Sequence, residues 1–228
     1  MTRFGNGPFR AVRCLGVALL ALGILGCNAI QGQVPEYSGG NPSSNPQGTQ
    51  NKEVAVLAGG CFWGVDAVFK HVKGVEQVVS GYSGGDSNTA EYEVVSTGTT
   101  GHAESVQVTF DPEEVSYAQL LQVFFSVATD PTQLNRQGAD EGTQYRSAIF
   151  YTNEAQRQTA LAYIDQLNKA HVYSDPIVTQ VAPFTHFYAA EDYHQNYLAL
   201  HPGNPYIVFN DLPKLRALKK NFPGLYKP

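Results

Sequence analysis

Methionine is all but missing from this chain, for Met1 is the single one among 228 residues. Once the N-terminal region is set aside, the body has no thioether of its own to lose, which suits an oxidising setting. Cysteine is scarce as well, with Cys14, Cys27 and Cys61 the only three. One thiol beyond position 27 can form neither an internal disulfide nor a cysteine-rich zinc site, and the pattern implies no metal and no cofactor. Basic residues number 15 against 20 acidic ones, a formal charge of -5. With no basic block downstream to neutralise phosphates, nucleic acid is not an expected partner. A membrane-spanning run is also missing: the apolar stretch Leu15 to Leu25 has eleven residues, where a helix needs roughly 20 to cross a bilayer. The hydrophobic content of 43% supports one core and one enzyme-sized domain, expected as a monomer.

What is present begins with a targeting pattern. Arg3, Arg10 and Arg13 precede the Leu15 to Leu25 run, and no acidic residue occurs before Glu36. This reads as a signal peptide over 1–27. Its end, Ile24-Leu25-Gly26-Cys27, resembles a bacterial lipobox, which implies cleavage after Gly26 and lipidation of Cys27. Asn28 in place of Asp implies, by the same resemblance, an outer-membrane destination in a double-membrane bacterium. The expectation is an exported lipoprotein held at the membrane only through its lipid, on the periplasmic side or in the cell envelope, with an ordinary cleaved secretory signal as the alternative. Residues 28–52 are dominated by Gly, Pro, Ser, Asn and Gln and read as a flexible linker.

The folded domain is placed at 53–228. Val54 and Val56 alternate, Leu57-Ala58-Gly59-Gly60 breaks the run, and Phe62 to Val72 has helical spacing: strand, glycine turn, helix. Val75 to Tyr82 and Ser105 to Phe110 read as strands, the latter with Val106, Val108 and Phe110 on one face. Ser116 is a candidate N-cap for a helix from Tyr117 to Val127 with an apolar stripe of Leu120, Leu121, Phe124 and Phe125. A strand at Arg146 to Tyr151, a helix at Glu154 to Asn168, a strand at Ile177 to Val181 and a helix around Glu191 to Leu200 complete the order βαββαβα. That order predicts an α+β fold, a mixed and mostly antiparallel sheet covered by helices around a ferredoxin-like core.

Cys61 is the residue to explain. A lone cysteine is commonly a small buried hydrophobe. Here it follows two glycines at a strand end and opens a helix, so backbone N–H groups and the helix dipole are placed to stabilise a thiolate. Competing chemistries can be tested on the same residues. Gly60-Cys61-Phe62-Trp63-Gly64 lacks the Gly-Lys-Ser/Thr of a P-loop. Gly101-His102-Ala103-Glu104 offers the His-x-Glu of a zinc deaminase without the cysteines that must accompany it. A Cys-His hydrolase remains open, with His71, His102, His186, His194 and His201 as candidate bases, and so does a lipoprotein that binds a ligand without turnover.

Four segments stand in order: Gly60-Cys61-Phe62-Trp63-Gly64, Gly81-Tyr82-Ser83-Gly84-Gly85, Thr100-Gly101-His102-Ala103-Glu104 and Gly142-Thr143-Gln144-Tyr145-Arg146-Ser147. Together with Ala190-Glu191-Asp192-Tyr193-His194-Gln195 and Asn204-Pro205-Tyr206, they resemble the A-class peptide methionine sulfoxide reductases over nearly the whole domain. The resemblance implies reduction of methionine-S-sulfoxide, in proteins and as the free amino acid. Cys61 would be the nucleophile, Glu104 the acid for the sulfoxide oxygen, and Tyr82 and Tyr145 hydroxyl donors to that oxygen. Phe62 and Trp63 would cage the methyl group, with Asp140 and His194 in support around the substrate. Glu104 must then be protonated near neutral pH, which requires an apolar surrounding.

The same resemblance implies that Cys61 becomes a sulfenic acid as methionine leaves. Many relatives regenerate the thiol with further cysteines near the C-terminus. This chain has Ser96 where some relatives have cysteine and none from Asn204 to Pro228. The expected reductant is therefore external: a small thiol, or a thioredoxin-like or glutaredoxin-like protein.

Overall fold

The computed structural model describes residues 33–40 and 52–228. The signal segment, Cys27 and most of the expected linker lie outside the described residues.

Strand β1 (Glu53–Gly59) is buried from Ala55 onward because both its faces are covered. Ala55 and Leu57 enter the main core, whereas Val56 and Ala58 join a smaller cluster on the opposite face. Helix α1 (Phe62–Lys70), strand β2 (Val75–Ser83), the short helix α2 (Tyr92–Val95) and strand β3 (Ala103–Phe110) follow. Helix α3 (Tyr117–Val123) starts at a capping box, in which Ser116 Oγ accepts from Gln119 N and the Gln119 side chain accepts from Ser116 N. These two bonds satisfy helix-end donors that would otherwise be unpaired. After Val123 the helix widens into a π turn at Phe124–Ala128.

A small hairpin, β4 (Arg136–Gln137) and β5 (Asp140–Glu141), leads to strand β6 (Ser147–Tyr151) and helix α4 (Glu154–Lys169), which is N-capped by Asn153. Strands β7 (Gln180–Pro183) and β8 (Phe187–Ala189), helix α5 (Tyr197–Leu200), a second π turn at Ile207–Asp211 and helix α6 (Leu212–Asn221) close the chain. The sheet order is β7-β6-β1-β3-β2-β8. All pairs are antiparallel except β6 with β7. The inner four strands, β6-β1-β3-β2, with α1 and α3 as crossovers, are the expected ferredoxin-like arrangement.

Three expectations are corrected. The helix around Glu191 to Leu200 is interrupted: a single 3-10 turn covers Asp192–His194, Asn196 takes φ 56°, and only Tyr197–Leu200 is helical. The cause is Gln195, whose amide accepts from Ser80 N and donates to the carbonyls of Ser80 and Ala190. That fixes the chain to β2, and Asn tolerates the left-handed turn that follows. The strand expected at Ile177 to Val181 starts only at Gln180, since Ile177 N and Val178 N bond to Asn168 and Pro131 rather than to a ladder. Finally, residues 33–40 of the expected linker lie docked against the domain. Val34 is buried, its N–H donates to Ser126 Oγ, and its carbonyl accepts from Gln122. Tyr163 donates to Pro35 O and Gln166 to Glu36 O, and Tyr37 packs edge-on to Tyr163. One apolar side chain and a set of satisfied backbone groups outweigh the local composition.

Candidate active site

The turn between β1 and α1 positions the thiol. Gly60 has φ 96°, a left-handed conformation natural to glycine, and it delivers Cys61 to the N-cap of α1 with φ -51° and ψ 123°. Cys61 is 8% exposed. Burial, then the charges of Glu104 and Asp211, push its thiol well above the ordinary cysteine value. Hydrogen bonds from the Trp63 N–H and the Tyr206 hydroxyl act in the opposite sense and favour the thiolate. The resting protein therefore holds a neutral thiol beside donors ready to stabilise its anion.

Glu104 comes from β3, paired in register with Tyr82 of β2. It is buried, and its Oε2 accepts from Phe62 N at 3.0 Å. Burial raises its carboxyl to about 8, the Phe62 bond being too weak an opposing influence. A carboxyl neutral at pH 7 beside a thiol is a proton donor in waiting. Asp211, considered below, is a second buried acid whose charge reaches Cys61.

The aromatic walls follow from the register of α1. The Trp63 indole stacks on Tyr197 at 3.7 Å between centroids and 7° between planes, and Tyr206 meets it edge-on at 5.9 Å. Its Nε1 donates to His194 Nδ1 at 3.1 Å. His194 is held neutral by burial and also lies against Phe62 and Tyr92. Phe62 completes this wall, with Tyr82 beneath it at 5.9 Å. Asp140 on β5 accepts a short hydrogen bond from the Tyr206 hydroxyl. Tyr145, in the turn before β6, feels the charges of Glu104 and Cys61 and is raised by burial. Arg146 anchors that turn by donating to the carbonyls of His102, Thr143 and Gly101.

Of the sequence-predicted residues, Cys61, Glu104, Phe62, Trp63, Tyr145, Asp140 and His194 thus converge on one chamber. Tyr82 is the exception. Its one hydroxyl proton goes to Glu191 Oε2 at 2.9 Å, so it supports the floor instead of facing a substrate oxygen. The same Glu191 accepts from Tyr92 N at 2.8 Å. Tyr92 senses both Glu104 and Cys61, whereas Tyr82 senses Glu104 alone of the two. Tyr92, Tyr206 and Asp211 were missed by sequence reasoning. Tyr206 carried a signal, as it lies within a recognised segment, whereas Tyr92 and Asp211 sit in unremarkable polar stretches.

None of the five candidate histidines is placed as a base for the Cys61 thiol. His102 is engaged by Gly85 N and the Asp86 carbonyl, His71 by Ala67 O, and His201 by Tyr197 O, while His194 Nδ1 is occupied by Trp63. None is among the groups acting on the Cys61 thiol.

From Cys61 a cavity of about 640 Å³ runs outward past Thr129, Gln137 and Asp140 to Tyr173, Phe209, Lys214, Arg216 and Lys220. The thiol thus lies where the aromatic chamber meets a polar, cation-rimmed recess, with Tyr206 and Asp140 common to both.

Fold and site together are those of an oxidoreductase with one cysteine at the turn into α1 of a split βαβ sheet. The chain belongs to the peptide methionine sulfoxide reductase family, whose model, "Peptide methionine sulfoxide reductase", matches residues 53–224. It is a peptide-methionine (S)-S-oxide reductase, an enzyme of protein repair. It is 62% identical over 174 residues to peptide methionine sulfoxide reductase MsrA 2 of Mesorhizobium japonicum, covering 76% of this chain and 89% of that one. With the protein of the same name from Synechocystis it shares 52% identity over 188 residues, covering 82% and 86%. Among solved structures, methionine sulfoxide reductase A of Corynebacterium diphtheriae superposes with a TM-score of 0.59 at 32% identity, covering 75% of this chain and 91% of that one. Mxr1 of Saccharomyces cerevisiae in reduced form gives 0.60 at 32% identity, covering 67% and 87%.

Proposed function

We propose that this enzyme reduces methionine-S-sulfoxide through a sulfenic acid on Cys61 and returns to its resting state with an external thiol. The observation that carries this reading is a single buried thiol facing a carboxyl whose surroundings hold it neutral at pH 7. The methyl group lies between Phe62 and Trp63. Attack of the Cys61 sulfur on the sulfoxide sulfur builds negative charge on oxygen, where Glu104 supplies its proton and the Tyr145 and Tyr92 hydroxyls stabilise the charge. Methionine leaves, and the oxygen remains on Cys61 as the sulfenic acid. Burial favours uncharged Glu104 at the outset, and the Trp63 N–H and Tyr206 hydroxyl favour the attacking thiolate.

Cys61 is the sole cysteine past position 27, so no second thiol of the chain can condense with the sulfenic acid, and regeneration falls to a small thiol or a thioredoxin-like or glutaredoxin-like protein. We further read the N-terminal pattern as export with lipidation of Cys27. This rests on the sequence pattern alone, and mass spectrometry of the mature N-terminus tests it through a diacylglyceryl mass on Cys27. The catalytic reading is tested by mixing enzyme with methionine-S-sulfoxide and no reductant, then adding dimedone. One dimedone adduct on Cys61 is expected, and an unmodified Cys61 after methionine has formed would refute the intermediate.

A further inference from the structure

The recess shares Cys61, Asp140 and Tyr206 with the chamber but is not lined by Phe62, Trp63, Glu104 or Tyr145, the residues assigned to the methyl group and the oxygen. It is lined on one side by the end of the first π turn and Thr129, and on the other by the second π turn and α6. Its size falls in the range of small-ligand pockets, roughly 300–1,000 Å³. Three cations of α6 stand over it: Lys214, Arg216 and Lys220. Lys214 lies 3.8 Å from the buried Asp211. Arg216 and Lys220, four residues apart on one face of α6, are exposed and pair with no carboxylate among the described residues.

Two carboxylates also line the recess, and both are occupied. Asp130 accepts from Thr132 and Gln133, and Asp140 accepts from Tyr206. Deeper in, Thr129 is 8% exposed. The Gln133 and Asn210 side chains and the Tyr173 and Phe209 rings add amide and aromatic surface along the way.

We propose that this recess is the binding site for the second substrate, a small thiol carrying at least two carboxylates. Its carboxylates are taken by Arg216 and Lys220, its backbone or amide groups face Gln133 and Asn210, and its sulfur reaches Cys61 along the recess. The proposal rests on the sulfenic acid reading above. The chemistry balances as follows. The thiol sulfur attacks the sulfur of Cys61–SOH, a mixed disulfide forms, and the hydroxyl leaves as water with the thiol's proton. A second molecule of thiol attacks that mixed disulfide, returning Cys61–SH and releasing the small-molecule disulfide. The 8% exposure of Cys61 at the inner end of a recess favours a small molecule over the broad face of a protein.

The test separates the two half-reactions in the full chain. Glutathione and its diethyl ester are the probes, the same tripeptide thiol with its carboxylates free or masked. The wild type is expected to turn over with glutathione at a kcat/KM on the order of tenfold above that with the ester. Arg216→Glu/Lys220→Glu, a change of two exposed side chains, is expected to abolish or invert that preference. Sulfenic acid formation from methionine sulfoxide in a single turnover without thiol should stay unchanged in the variant. Equal use of the two thiols by the wild type, or an unaltered preference in the variant, overturns the proposal. So does regeneration by a thioredoxin-like protein alone, with no turnover on glutathione. Loss of sulfenic acid formation in the wild type would instead strike the catalytic reading.

Discussion

Glu104→Gln is the perturbation with the most specific consequence, because it acts on activity and on stability with opposite signs. In the folded protein burial raises this carboxyl from 4.5 to about 8, whereas in the unfolded chain it returns to its ordinary value. Below about pH 4.5 it is protonated in both states and its full favourable contribution is present. As pH rises toward 8 the unfolded state ionises and the folded state resists, so stability is lost, and above about 8 both states are ionised. With each pKa unit worth about 1.4 kcal/mol, the loss between roughly pH 5 and pH 9 comes to about 4 kcal/mol. Glutamine keeps the acceptor that meets Phe62 N and does not titrate. Urea unfolding of both proteins at about pH 5, 7 and 9 should therefore show the variant gaining on the wild type by several kcal/mol at the alkaline end. Its kcat should fall on the order of 10²-fold to 10⁴-fold, the usual worth of a general acid. Parallel stability profiles for the two proteins would refute the claim that Glu104 is held neutral by burial, and with it the assignment of the proton donor.

Tyr92→Phe is expected to lower kcat/KM on the order of tenfold or more, while Tyr82→Phe, which loses only the bond to Glu191, should act mainly on stability; steady-state kinetics and thermal melts separate them. Asp211 is fully buried, its carboxylate has the Lys214 ammonium at 3.8 Å and no closer hydrogen-bond partner among the described residues, and burial raises it to about 6, with Lys214 opposing and Asp140 adding to the shift. Because its charge faces Cys61 and Tyr206 as well, Asp211→Asn should lower the Cys61 pKa and speed iodoacetamide alkylation at about pH 8 several-fold, and an unchanged alkylation profile would remove Asp211 from the electrostatics of the site. Val34→Ala should cost roughly 1–2 kcal/mol in chemical denaturation, a value near zero showing that the docked segment contributes nothing.

The legible parts of the molecule were those written in local patterns. The strand, glycine turn and helix around Cys61, the cap at Ser116 and the alternating β3 all stand where the sequence placed them, because period and capping chemistry are local. The chamber was legible mainly through its recognised segments, which brought in six of the seven converging residues, Asp140 lying two positions ahead of the fourth segment. The bond of the Tyr82 hydroxyl to Glu191 was not legible, since a tyrosine in a glycine-rich segment gives no sign of where its hydroxyl points, and only the fold brings Glu191 to it across 109 residues. The broken helix at Asn196 and the docked Val34 fail for the same reason. Gln195 and Gln122 make their deciding bonds at separations of 115 and 88 residues, beyond the reach of any local pattern. Asp211 gave no signal, as its burial depends on Gly64, where an added Cβ would lie 2.1 Å from its Oδ1.

The central claim is that Cys61 alone takes the oxygen from the S epimer. Enzyme at known concentration is mixed with each methionine sulfoxide epimer in the absence of any thiol, and methionine is counted by chromatography. The account predicts one methionine for each Cys61 from the S epimer, none from the R epimer, and none with Cys61→Ser. Methionine formed by Cys61→Ser, or from the R epimer alone, would contradict it.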